Sequence, residues 1–299
     1  MKEDYKKYLD PAFVSTFSNL SLTTRMVLKG FMLGIHSSPM KGFSAEFSEH
    51  KQYNDGDSTR FVDWKIFGRT EKYFLKQFED ETNIYANIFL DRSASMSFRS
   101  EKFQYSKLDY GKQLAAAIST ILINQKDAVG FGNYADTLKE YIPQRSSKQH
   151  LKNILINIEN DEVFNTHETY ASFDEISMKL HKSGILVILS DLLEESDKLI
   201  SRILTLQKRQ QDIIVFMIAD DDEYNLQLGD HLNMIDSETN ENLIVKTALL
   251  KKKYKEIYDE HINKFKKVFT EKKIYFTFVT TRTPFHIPLR EIVLVRGKK

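Results

Sequence analysis

The 299-residue chain has no cysteine, which excludes disulfides, thiol catalysis and cysteine-ligated zinc and fits a reducing compartment. It has almost no net charge. Its 43 Lys and Arg against 42 Asp and Glu leave +1, with no overall pull toward nucleic acid, membrane or acidic substrates. Long apolar runs are missing too: those near 184–189 and 213–219 are far too short to span a bilayer. No apolar stretch follows Met1-Lys2-Glu3-Asp4-Tyr5-Lys6-Lys7, so no signal peptide is read and the expected compartment is the cytoplasm. There is no Gly-x-Ser-x-Gly elbow and no Gly-x-x-x-x-Gly-Lys-Ser/Thr loop. The 8 His are scattered, with no His-x-x-x-His pair beside a Glu to suggest zinc. Internal repeats, low-complexity tracts and linkers are absent. The remainder is ordinary globular composition, 41% hydrophobic and 28% charged, at a length that supports one large domain or two small ones.

One stretch stands out: Asn87-Ile88-Phe89-Leu90-Asp91-Arg92-Ser93-Ala94-Ser95-Met96-Ser97. An apolar run of this kind suits a buried parallel strand, whose carboxyl end is where α/β proteins place their sites. Asp91, Ser93 and Ser95 alternate, so a chain leaving the strand extended points three oxygens to one side. Convergent hard oxygens suit Mg²⁺. The same residues equally suit a helix N-cap, where Ser and Asp satisfy orphan amides.

From residue 85 on, short apolar runs alternate with helical periodicity. Strands are expected at 85–91, 128–131, 137–142, 184–190, 213–218 and 274–279, with a small hairpin over 226–245. Helices are expected near 101–125, 146–158, 171–182, 196–209 and 246–271. The order predicts an α/β fold, a doubly wound, mainly parallel sheet, with the ends after Leu90 and Ser190 on one rim. Residues 1–40 read as helical, with Met26, Val27, Phe31 and Met32 on one apolar face.

Asp91-x-Ser93-x-Ser95, between an apolar strand and a long helix, resembles the metal-ion-dependent adhesion site of von Willebrand factor A domains. That resemblance implies two further pieces, a Thr from a later loop and an Asp after a later strand. Thr169, with Thr166 as fallback, and Asp191 stand in the matching order. The implied metal set is Asp91, Ser93, Ser95, Thr169 and Asp191, holding Mg²⁺, with Mn²⁺ or Ca²⁺ as alternatives. Taken alone, Asp191 also suits a helix cap.

Residues 41–85 differ in kind. Asn54-Asp55-Gly56-Asp57 is strong turn chemistry, and the segment concentrates the only Trp, several aromatics, Arg60, Asp63, Lys65 and Arg69. One account is an aromatic satellite core with charge pairs on its rim, in which Asp57, Arg60 and Asp63 pin the segment. The pattern Glu49…Tyr53-x-x-Gly56-Asp57-x-x-Arg60-x-x-Asp63-Trp64-Lys65…Arg69-Thr70…Phe78-Glu79-x-Glu81 is very similar to one bacterial family, domain-of-unknown-function family fifty-eight. Its members resemble von Willebrand factor A domains and are often encoded beside MoxR-type AAA+ ATPases. The expected organisation is an N-terminal helical or irregular segment, 1–84, packed on a von Willebrand factor A-like domain, 85–299.

The resemblance implies a non-enzymatic, metal-dependent protein-interaction module, an adaptor or co-chaperone of a MoxR-type AAA+ ATPase whose partner or client supplies an acidic ligand. The alternative is a metal-dependent phosphoester hydrolase. Against that, a phosphate-transferring aspartate site wants a second carboxylate two residues after the first, and Ser93 occupies that place. Lysines crowd residues 251–273, but Glu256, Asp259, Glu260 and Glu271 interrupt them, as on a solvated amphipathic helix, and no nucleic-acid partner is expected.

Overall fold

The computed structural model describes residues 45–52, 62–71, 73–80, 85–100, 105–124, 126–166, 168–180, 184–208, 211–227, 231–235 and 242–283. The helix expected over 1–40, and with it Asp57 and Arg60, lie outside these. The chain divides into two compact units, one over His36–Asn83 and one that takes in the described chain from Tyr85 onward.

The smaller unit is not the helical or irregular segment expected. Strand β1 (Ala45–Gln52) pairs antiparallel with β2 (Phe74–Asp80), and helix α1 (Trp64–Thr70) lies between them in sequence. Dense charge in both strands masked their alternation. Asp63 caps α1, its Oδ1 accepting from the backbone N–H of Lys65 at 2.9 Å and of Ile66 at 3.3 Å.

In the larger unit six strands form one sheet in the order β10-β7-β6-β3-β4-β5. They are β3 (Tyr85–Asp91), β4 (Ala128–Tyr134), β5 (Leu138–Arg145), β6 (Gly184–Ser190), β7 (Gln211–Ala219) and β10 (Tyr275–Thr280). All pairings are parallel except the edge pair β4–β5. The expected doubly wound, mainly parallel sheet is therefore what forms. Each central strand buries both faces. Ile88 and Leu90 pack with α2 (Lys107–Asn124) and α3 (Lys148–Ile158), while Phe89 faces the layer of α4 (Ser172–Lys179), α5 (Ser196–Gln207) and α7 (Thr247–Glu271). Each fully buried Leu, Ile or Phe contributes about 1.5–3 kcal/mol, so the strand ends are held firmly.

Two features differ from the sequence reading. Helix α2 begins at Lys107, fixed by a capping box: the Ser106 backbone N–H donates to Asp109 Oδ2 at 2.9 Å and the Asp109 N–H to Ser106 Oγ at 3.0 Å. A short helix, α6 (Asp221–Asn225), follows β7. The hairpin expected over 226–245 does form, as β8 (His231–Ile235) and β9 (Asn242–Lys246). Helix α7 is amphipathic as read, burying Tyr258, Ile262, Phe265 and Phe269 while most of its described lysines stay in solvent. No helix among the described residues is long and apolar enough to cross a membrane.

Sheet closure at β3–β6 depends on Gly184, where a Cβ would stand 2.0 Å from the Tyr85 carbonyl oxygen, a backbone atom with no room to give. Gly68, in α1, has nothing within 4 Å of its would-be Cβ. Gly184→Ala is expected to lower unfolding stability by about 1–3 kcal/mol, whereas Gly68→Ala leaves it unchanged or raises it by up to about 1 kcal/mol. Urea denaturation of both variants checks this, and equal stabilities would contradict it.

Candidate metal centre

Strand order places the site. The crossover from β3 runs through α2 to β4 on one side, while β6 lies on the other, so the carboxyl ends of β3 and β6 flank a topological switch point. Asp91 ends β3 and Asp191 directly follows β6.

The Asp91 carboxylate is buried and held from two directions. Its Oδ1 accepts the Ser93 backbone N–H at 2.8 Å, and its Oδ2 accepts the Ser190 hydroxyl at 2.6 Å. Burial first, then the nearby Asp191 charge, push its carboxyl up to about 7, although the Ser190 and Ser93 hydrogen bonds pull the other way. Tyr134, the last residue of β4, is buried beside it, and burial and Asp91 raise its hydroxyl well above the usual phenol range against the pull of Ser190.

Ser93 and Ser95 meet with their hydroxyl oxygens 3.0 Å apart. The extended exit expected from the sequence does not produce this, because an extended chain separates alternate residues by about 6–7 Å. Ser93 is extended, with φ −60° and ψ 153°, and a 3₁₀ turn over Ala94–Ser97 then folds Ser95 back. The two hydroxyls hydrogen-bond each other at that spacing, which is also one a small cation's ligands can take. Neighbouring ligands in an octahedron with bonds of about 2.1 Å lie about 3.0 Å apart. The donors are hard oxygens, mostly neutral. No group of three or more His, Cys, Asp or Glu placed to hold a metal occurs among the described residues.

The loop carrying these serines is clamped by a residue the sequence reading passed over. Arg92 is fully buried; Nε donates to Asn133 Oδ1 at 2.9 Å, one guanidinium nitrogen to the Asn160 carbonyl, and the other to the Ile158 carbonyl at 3.1 Å. Backbone bonds reinforce the clamp, Ala94 N–H to Phe164 O at 2.9 Å and Phe164 N–H to Arg92 O at 2.8 Å.

Thr169 is buried in a 3₁₀ turn, and its backbone N–H donates to Glu194 Oε1 at 2.6 Å, tying that turn to the loop after β6. Thr166, the fallback, uses its hydroxyl locally, accepting the Glu168 N–H at 3.3 Å.

Asp191 is engaged by a residue far away in sequence. Its Oδ2 lies 2.8 Å from Lys107 Nζ, and Lys107 also contacts Glu223 Oε2 of α6 at 3.1 Å. Burial lowers the Lys107 ammonium, but Asp191 and Glu223 outweigh it and the net shift is upward. Burial pushes the Glu223 carboxyl upward against the pull of Lys107. Asp220 positions Glu223 by capping α6, its Oδ1 accepting the Asp222 N–H at 2.9 Å and the Glu223 N–H at 3.1 Å. No local pattern marks Lys107 or Glu223, because their pairing exists only across strand ends.

The clamp sets a test of its own. Arg92→Leu strands the carbonyls and Asn133 that the guanidinium satisfies, and is expected to cost about 3 kcal/mol or more of unfolding stability. Arg92→Lys keeps the charge but not the planar fork and recovers only part. Denaturant curves for both measure this; an Arg92→Leu protein as stable as wild type would show the clamp to be dispensable.

The family model described as "Protein of unknown function DUF58" matches residues 49–264. The uncharacterized proteins Mb1516 of Mycobacterium bovis and Rv1480 of Mycobacterium tuberculosis are 26% identical over 146 residues, 49% of this chain and 45% of each relative. The match thus spans about half the length of those curated relatives. BatB from Bacteroides thetaiotaomicron has a similar structure at 12% identity and a TM-score of 0.42, over 72% of this chain and 100% of that one. The pilus adhesin SpaC from Lactobacillus rhamnosus GG, in its open conformation, aligns at 7% identity and a TM-score of 0.48, over 74% of this chain and 30% of that one. The family match, running from Glu49 through the site loops into α7, establishes the identity: the chain belongs to the DUF58 family.

Proposed function

We propose that this chain is a metal-dependent protein-interaction module, an adaptor or co-chaperone of a MoxR-type AAA+ ATPase, with Mg²⁺ held by Ser93, Ser95 and Thr169 and assisted by Asp91 and Asp191. The observation that carries the reading is the facing pair of hydroxyls, Ser93 and Ser95, 3.0 Å apart on the switch-point rim. Asp91 has both oxygens engaged, by the Ser93 N–H and the Ser190 hydroxyl, which suits it to accept from metal-bound water. Neutral oxygens would therefore face the ion, leaving its charge poorly compensated. A bound Mg²⁺ would supply an electrophilic position open to a carboxylate from the partner.

The residues around that position favour capture over turnover. Asp91 is held by Ser93 and Ser190, and Asp191 is paired with Lys107, so both carboxylates serve to orient groups on the rim, and the open position is left for a ligand from the partner. The MoxR-type partner is drawn from the family resemblance, and its contribution is expected to be an acidic side chain.

Interferometry of the full chain against a MoxR-type AAA+ ATPase tests the proposal. Replacing Mg²⁺ by EDTA and substituting Ser95→Ala are each expected to weaken binding by about 30-fold or more, mainly through faster dissociation. The melting temperature is expected to change little. Binding indifferent to both EDTA and Ser95→Ala would contradict the reading and move the interface elsewhere.

A further inference from the structure

Lys107 takes no part in the metal set, yet it supplies the positive charge that sits against Asp191. Its ammonium is completely buried, 2.8 Å from Asp191 Oδ2, 3.1 Å from Glu223 Oε2 and 3.4 Å from Glu223 Oε1, and 5.8 Å over the Phe98 ring. Its position is costly. It is the first residue of α2, where the helix dipole disfavours a cation, and it is removed from water. A capping box fixes the backbone that carries it, and an Asp220-capped helix fixes Glu223. Three separate strand ends thus meet at one ammonium: β3 through α2, β6 through Asp191 and β7 through Glu223.

We propose that Lys107 is a resident counter-cation that competes with the divalent ion for Asp191 and thereby sets the metal affinity of the site. Glu223 is the carboxylate that keeps Lys107 neutralised when Asp191 turns to the ion. The proposal rests on the metal reading above and adds to it a second, metal-free state in which the ammonium holds the rim together. Lys107 acts through Asp191, as a positioning residue. Charge repulsion and the occupied carboxylate oxygen both oppose the ion while Lys107 is in place. Removing the ammonium leaves Asp191 and Glu223 buried without it, which weakens the metal-free protein and strengthens its hold on a cation.

Isothermal calorimetry with Mg²⁺ as the probe, paired with melting curves with and without Mg²⁺, tests this on the full chain. Lys107→Met is expected to bind Mg²⁺ about tenfold or more tightly than wild type, and to gain more melting temperature from Mg²⁺. Glu223→Gln is expected to shift affinity the opposite way, because Lys107 then depends on Asp191 alone. If Lys107→Met does not fold, Lys107→Gln, which keeps a donor to Asp191, takes its place, and Glu223→Gln still reads the opposite arm. A Lys107 variant that loses stability with Mg²⁺ affinity unchanged or weaker would overturn the proposal and leave an ordinary structural ion pair. Absence of Mg²⁺ binding in both wild type and the Lys107 variant would overturn the metal reading, and this proposal with it.

Discussion

Two carboxylates, Asp91 and Asp191, are buried at the ends of adjacent parallel strands, and the chemistry of the rim follows from keeping them there. An ionised carboxylate out of water is costly unless hydrogen-bonded or paired. The protein answers differently at each. Asp91 receives neutral donors, a backbone N–H and the Ser190 hydroxyl, while Asp191 receives a full charge from Lys107. The asymmetry leaves one side of the rim rich in neutral oxygens and the other internally neutralised. Hydroxyls face one another on the first side and an ion pair closes the second.

The scaffold makes such an arrangement possible. Core side chains on both faces of β3 and β6 fix the two strand ends, and the close approach of Gly184 to Tyr85 brings the strands together where they begin. Beyond the strands, Arg92 converts a loop into a fixed platform by satisfying carbonyls from the end of α3 and the residues after it. A buried guanidinium in that role orders the backbone on both sides of Asp91 and Ser93, so the hydroxyl pair is preorganised by groups that never face the site.

Much of this was legible in the sequence, for physical reasons. Apolar runs ending in a polar residue announced β3 and β6, because a parallel strand buried on both faces needs an unbroken apolar stretch and exposes only its end. The stripe in α7 was readable because a solvated helix must alternate with a 3.6-residue period. The antiparallel pair β1–β2 was not, since charged residues crowd both strands. Ser93 and Ser95 were found, but for the wrong geometric reason: a 3₁₀ turn brings them together, where an extended chain would part them. Arg92, Lys107 and Glu223 escaped notice because their partners lie far off in sequence, up to 116 residues away for the Lys107–Glu223 pair, and no local spacing encodes a long-range pairing.

The central claim is that neutral hydroxyls on this rim hold a divalent ion. Anomalous diffraction from crystals grown with Mn²⁺, an ion that takes the same hard oxygen ligands as Mg²⁺, tests it most directly. The account predicts one strong peak within bonding distance of Ser93 Oγ, Ser95 Oγ and Thr169 Oγ1, with Asp91 still bonded to Ser190. A peak elsewhere in the protein, or none at this rim, would contradict it.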